Sequence, residues 1–303
     1  MTLFSISNLS CDTVANPPTT LLHDVSFEVG EGEVVGLIGE SGSGKTMASL
    51  AVLGLLPGGV EATNGTIEMA GERFAATASG RQGLAAIFQN PRAALNPTMR
   101  VGKQIVRVLR AHADLSKADA KDMAIDLLRR CGVAGADNVV RLYPHELSGG
   151  MCQRVMIAMA IAARPRILIA DEPTTALDLT IQAQIIDLLR DVISETGCGV
   201  LLITHDLGVV AELCDRVVVL LGGRVMEQGS VYELFADPLH PYTQYLMNPT
   251  AFADPIGGVT PTADGCPFIA RCPYSTAPCA GPQRIREVNG RKVACELFDG
   301  SAT

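Results

Sequence analysis

The 303-residue sequence predicts an α/β fold with a helical insertion and a cysteine-rich tail, and three observations carry that prediction. Short apolar strands alternate with helical stretches near the start and again after residue 165. Between them, residues 101–164 read as one helix after another. From Asp237 onward proline density rises, regular patterning fades and four cysteines gather.

Residues 1–35 alternate as β-strands do, through Leu3, Phe4 and Ile6, then Val25-Ser-Phe-Glu-Val29, to a turn at Gly30-Glu-Gly32. Glu33-Val-Val-Gly-Leu-Ile38 is long enough for one buried strand, and Thr46–Leu56 has helix-forming composition up to Pro57. Asn64-Gly65 reads as a turn into a further strand, and Ala85–Phe88 is a short apolar strand leading to Gln89. Val101–His112 is helical. A second helix starts at Ser116, where Asp119 makes a capping-box pattern, and ends at Cys131-Gly132. A third opens at Leu147-Ser-Gly-Gly150 and stops at Pro165. Strand Arg166–Ala170, helix Leu179–Thr196, strand Val200–Ile203 and helix Leu207–Cys214 follow, and Arg216–Leu221 turns at Gly222-Gly223 into Arg224–Gly229.

Composition narrows the function classes. The chain is 48% hydrophobic, enough for a buried core, and its net charge of −8 argues against an extended nucleic-acid footprint. The most apolar runs are broken by charge, Gly or Pro before the roughly 18 residues that a membrane span needs. Met-Thr-Leu-Phe-Ser-Ile6 has neither a basic region nor a cleavage pattern, so cytosol is the expected compartment.

Gly39-Glu-Ser41-Gly42-Ser43-Gly44-Lys45-Thr46 has the form G-x-x-x-x-G-K-[ST], set between a strand and a helix as a phosphate-binding loop must be. Glycines let successive N–H groups turn inward around a phosphate chain, and the helix start adds partial positive charge. Lys45 is placed to reach the β- and γ-phosphates and the Thr46 hydroxyl to bind Mg²⁺. Ile167-Leu-Ile-Ala-Asp171-Glu172 is an apolar strand ending in two carboxylates. Asp171 would complete the Mg²⁺ shell, and Glu172 would accept a proton from a water attacking the γ-phosphate. His205 follows the strand Val200–Ile203 and a Thr, where an α/β sheet points residues into its cleft, and suits a γ-phosphate contact.

Gly39–Thr46, Gln89, Leu147-Ser148-Gly149-Gly150, Ile167–Glu172, Thr175-Ala-Leu-Asp178 and His205 together resemble the ordered motif set of ABC-transporter ATP-binding subunits. The resemblance covers residues 1 to about 235. It implies a P-loop NTPase (RecA-like) core with an N-terminal antiparallel β subdomain and an α-helical subdomain at about 92–164, followed by an extension over 236–303. It also implies that Gln89 joins Mg²⁺ and the catalytic set, that Asp178 belongs to the nucleotide site, and that two subunits bind two ATPs head to tail. Each ATP would be gripped by one subunit's phosphate loop and the other's Ser148-Gly149-Gly150, where a hydroxyl, glycine amides and a helix start make an anion site. One departure stands out: the family's usual adenine-stacking aromatic near residue 13 is missing from Leu9-Ser-Cys-Asp-Thr13-Val14.

Gln89–Pro97, Tyr143–Leu147, Pro238-Leu-His-Pro-Tyr-Thr243 and the cysteine tail resemble the dipeptide/oligopeptide/nickel importer branch. That branch implies import of peptides, or of nickel, opines or another small solute. The implied partners are a second ATP-binding subunit, expected to be a paralogue, two transmembrane permease subunits and an extracytoplasmic solute-binding protein, with this chain peripheral on the inner membrane face. A soluble ABC ATPase acting on nucleic acid is the rival reading, but the chain has no coiled-coil insertion, duplicated cassette or basic patch. A small-molecule kinase would have no use for Leu-Ser-Gly-Gly.

Cys266, Cys272, Cys279 and Cys295 are separated by 5, 6 and 15 residues, without the C-x₂-C pairs of most zinc ribbons. Disulfides are disfavoured in the cytosol, and a Cys₄ set suits an iron–sulfur cluster or zinc. The resemblance implies a [4Fe–4S] cluster, with Zn²⁺, or unligated or disulfide-forming cysteines, as the alternatives; because the tail follows the last catalytic motif, its expected role is structural or docking rather than chemistry on ATP. The other five cysteines are scattered and read as small buried hydrophobes.

Overall fold

The computed structural model describes residues 2–78, 82–175, 179–252, 262 and 264–298. Its contacts fall into two compact units, one of Gly30–Glu33 and Arg81–Leu202, the other of Thr2–Val29, Val34–Gly80 and Ile203–Thr303.

The chain opens with β1 (Thr2–Thr13) and β2 (Thr20–Gly30), whose buried Phe4, Ile6, Leu22, Val25, Phe27 and Val29 alternate with outward residues. The wholly buried β3 (Val34–Ile38) leads through the glycine-rich loop into α1 (Lys45–Leu53). That helix ends at Gly54 in the left-handed conformation, ahead of Pro57. β4 (Val60–Met69) and β5 (Glu72–Ala75) complete a sheet of order β2-β1-β4-β5, with β4 antiparallel to β1 and β5. Asn64-Gly65 does not turn the chain. It lies inside β4 at a pairing irregularity, where Gly65 has φ 116° and a Cβ would stand 2.7 Å from Leu9 Cα.

β6 (Leu84–Ile87) and α2 (Pro91–Ala94) precede three longer helices and one short one: α3 (Val101–His112), α4 (Lys117–Arg130), α5 (Ala136–Val139) and α6 (Gly149–Ala162). Ser116 Oγ accepts the Asp119 N–H at 3.1 Å, as the capping pattern predicts. α3 buries Val101, Ile105 and Leu109, and α4 buries Ala120, Ala124, Leu127 and Leu128, each on one stripe. α6 is buried nearly all round and carries a buried Arg154, which donates to Cys131 O at 2.6 Å and Gln184 Oε1 at 2.5 Å. β7 (Ile167–Asp171), α7 (Leu179–Thr196) and β8 (Gly199–Ile203) follow; strand order here is β8-β7-β6, with β6 and β7 parallel.

In the other unit come α8 (Leu207–Leu213), β9 (Arg216–Leu221), β10 (Arg224–Ser230), α9 (Val231–Ala236), α10 (Pro241–Met247), β11 (Arg286–Val288) and β12 (Arg291–Val293). Their order with β3 is β11-β12-β10-β9-β3, where β3 runs parallel to β9 and the other pairs are antiparallel. The tail is therefore more regular than its patterning suggests. Asn289 and Gly290, both at positive φ, close the β11–β12 hairpin, which an Asn-Gly pair favours. Tyr242, Phe268 and Ile269 of the tail are fully buried against Val217, Val219 and Met226, so the tail shares one core with β9 and β10.

Candidate functional site

At the carboxyl end of β3 the chain enters Gly39–Thr46. Gly39 has φ 150° and stands so near the Leu220 carbonyl that a Cβ would sit 2.1 Å from it. The Gly223 N–H donates to Ser43 O at 2.9 Å, so the β9–β10 turn fixes the loop from behind. Lys45 is 8% exposed, and its Nζ donates to Gly39 O (2.8 Å), Glu40 O (2.8 Å) and Ser43 Oγ (3.4 Å). The ammonium is held inside the loop's arc, while Ser41, Gly42 and Thr46 stay exposed at the start of α1. His205 lies in the same unit, exposed after β8. Its neighbour Asp206 caps α8 by accepting the Gly208 and Val209 N–H groups at 2.8 and 3.3 Å.

In the first unit β7 ends in Asp171, 8% exposed, and Glu172 takes a left-handed φ of 50°. Such a backbone costs about 1–3 kcal/mol in a non-glycine residue, and here the Thr175 side chain steadies it. The Thr175 hydroxyl donates to the Glu172 carboxylate, and its N–H to the Glu172 carbonyl at 3.2 Å. Because β6 and β7 are adjacent and parallel, the exposed Gln89 emerges at the same sheet edge as Asp171. Ser148 caps α6 by accepting the Met151 N–H at 3.3 Å. Ser148 and Gly149 are exposed, and among the described residues a Cβ on Gly150 would meet Ile181 Cγ2, at 3.7 Å. A 14-residue helix thus begins at an exposed end, where its dipole favours an anion. Asp178 lies outside the described residues.

Two tail residues that pattern reading missed reach the phosphate loop. The Glu40 N–H donates to Tyr242 Oη at 2.8 Å, and Arg271 donates to both Glu40 carboxylate oxygens at 2.7 and 2.8 Å. These hydrogen bonds from Arg271 hold the Glu40 carboxyl below its usual range. No local signal marks a contact between residues 231 apart.

The structure brings all four tail cysteines around one cavity, together with His240. The backbone N–H groups of Phe268, Tyr274 and Leu297 favour the thiolates of Cys266, Cys272 and Cys295 respectively, and burial outweighs them. Burial, reinforced by the neighbouring sulfurs, pushes the Cys266 thiol up to about 12 and Cys295 to about 11. His240 is kept neutral by burial, with its pKa lowered to about 4, and its Nε2 lies 3.9 Å from Cys266 Sγ. Among the described residues no group of three or more His, Cys, Asp or Glu is arranged to hold a metal ion. Of the scattered cysteines, Cys11, Cys131, Cys152 and Cys198 are buried and Cys214 is half-buried, as small hydrophobes would be. Among the described residues no helix is long and apolar enough to cross a membrane.

Residues 22–175 match the ABC transporter family, and residues 226–279 match the oligopeptide/dipeptide transporter C-terminal region. The chain is 40% identical to the oligopeptide transport ATP-binding protein AppD of Bacillus subtilis (strain 168), over 98% of this chain and 97% of that protein. It is 42% identical to the dipeptide transport ATP-binding protein DppD of Haemophilus influenzae, over 92% of this chain and 90% of that one. Among solved structures it resembles the ATP-binding cassette MJ0796 in its dimeric post-hydrolysis state with ADP and Pi. That likeness has a TM-score of 0.66 and 25% identity, over 75% of this chain and 98% of that one.

Proposed function

The chain belongs to the ABC transporter family of ATPases, and on that premise we propose that its ATP hydrolysis powers the uptake of peptides across a membrane. The observation that carries the substrate class is the tail. Residues 226–279 match the C-terminal region of oligopeptide/dipeptide transporters, and relatives alike over nearly the whole chain are named for those substrates.

Gly39, Ser41, Gly42, Ser43 and Gly44 wrap the phosphate chain of ATP with backbone amides, and Lys45 neutralises its β- and γ-phosphates. Thr46, Gln89 and Asp171 would hold the Mg²⁺ that such an ATPase needs, an ion that supplies charge neutralisation at the phosphates. Glu172 takes the proton of the attacking water, and His205 contacts the γ-phosphate. Asp178 completes the nucleotide set. The buried, loop-held Lys45 and the Thr175-steadied Glu172 support these roles. Ser148, Gly149 and Gly150 serve the ATP of a second ATP-binding subunit, a paralogue, and the exposed start of α6 suits that task. Two permease subunits and an extracytoplasmic binding protein complete the transporter, with this chain on the inner membrane face.

The tail carries a [4Fe–4S] cluster on Cys266, Cys272, Cys279 and Cys295. The four cysteines gathered around one cavity support this reading.

The test is reconstitution with the permease subunits in vesicles, measuring ATP hydrolysis with and without peptide-loaded binding protein. Hydrolysis rises with peptide on this account. Stimulation by nickel or an opine but never by peptides would move the chain to another solute, and no stimulation by any of them would defeat the importer reading.

A further inference from the structure

We infer that Arg271 is a positioning residue for the phosphate loop, so that the cysteine-bearing turn Cys266–Cys272 helps set nucleotide affinity. The inference rests on reading Gly39–Thr46 as the ATP-binding loop.

Glu40, the second residue of the loop, has each of its polar parts engaged. Its carbonyl accepts from Lys45 Nζ at 2.8 Å, its N–H donates to Tyr242 Oη at 2.8 Å, and its carboxylate takes both donors of Arg271. Two of those three partners belong to the tail. Arg271 is itself aimed by its surroundings, with its guanidinium carbon 4.9 Å from the Phe268 ring centre and 5.2 Å from that of Tyr245. A second, indirect contact runs through the β9–β10 turn. A Cβ on Gly222 would stand 3.0 Å from Pro267 Cβ, and the next residue, Gly223, donates to Ser43 O at 2.9 Å. The turn between Cys266 and Cys272 therefore supplies Pro267, Phe268 and Arg271, and all three bear on the loop or on what holds it.

The physical consequence is preorganisation. Holding Glu40 fixes the carbonyl that orients Lys45, so less ordering remains to be done when phosphate binds. The Arg271 and Glu40 side chains are 39% and 32% exposed, which keeps their contribution to global stability small. A lysine at 271 would keep the charge and lose the two-pronged geometry.

The experiment measures binding of a non-hydrolysable ATP analogue with Mg²⁺ to the full chain, with melting temperature recorded in parallel. Arg271→Ala, Arg271→Lys and Glu40→Gln are each expected to weaken binding about three- to ten-fold, with melting shifted by no more than about 2 °C. The double variant Arg271→Ala/Glu40→Gln should be no weaker than the worse single one, because both remove the same contact. Glu40→Gln leaves the tail untouched and keeps the test valid if Arg271→Ala folds poorly. Wild-type affinity in Arg271→Ala, or additive losses in the double variant, overturns the inference while Lys45→Ala still abolishes binding. A Lys45→Ala protein that binds normally removes the nucleotide-site reading and this inference together.

Discussion

Gln153 Nε2 donates to the Pro173 carbonyl at 2.7 Å, with both residues buried, and so ties the helix capped by Ser148 to the residue that follows Glu172. If Ser148-Gly149-Gly150 faces the neighbouring subunit's ATP and Glu172 its own, this bond joins the two sites within one chain. Gln153→Leu strands a buried carbonyl and should cost about 1–3 kcal/mol of stability. Turnover at saturating ATP should fall further than ATP affinity does. Melting curves and turnover on the same preparation check this, and unchanged turnover would argue against the coupling.

Ser148→Ala removes the helix cap and one proposed ATP contact, at a cost of about 1 kcal/mol to the helix. Its larger effect should appear between subunits. Turnover per subunit of the wild type should rise with concentration or on adding the partner ATPase, and Ser148→Ala should flatten that rise. Full activity in a strictly monomeric wild type would contradict the shared site.

The tail is expected to carry iron. Protein purified without oxygen should be brown, with about four iron and four sulfide per chain. Cys272→Ser should lose most of both and loosen the Cys266–Cys272 turn. Colourless protein holding one zinc per chain would replace the cluster with the alternative metal.

Arg271 depresses the Glu40 pKa, and that shift has a pH signature. A carboxyl whose folded pKa is lowered adds stability above its unfolded value and loses it as pH falls through the folded one. The melting difference between wild type and Glu40→Gln should therefore be constant from neutral pH to about 5.5 and shrink below about 4.5. A difference that grows on acidification would mean that the pair is not formed in solution.

The alternating core was legible because local rules and burial agree there. Leu179–Thr196 is helical over the predicted span, and Ser116 caps its helix through Asp119. Asn64-Gly65 misled because the same left-handed glycine that makes a turn also serves a bulge, and only pairing with β1 decides between them. The β11–β12 hairpin went unread although Asn289-Gly290 signals it, because its three-residue strands are too short for periodicity. The phosphate loop and the Asp171-Glu172 pair were legible, since each is a contiguous motif on a strand end. Arg271 on Glu40 was not, because nothing local encodes a contact between a tail and a loop so far apart in sequence.

The most direct measurement is ATP bound and ATP hydrolysed by Glu172→Gln in the assembled complex, with Lys45→Ala beside it. Glu172 acts only in proton transfer, so its amide variant should bind ATP like the wild type while hydrolysis falls about 10²–10⁴-fold. Lys45→Ala should lose the binding itself. Near-normal turnover in Glu172→Gln would contradict the account at its centre.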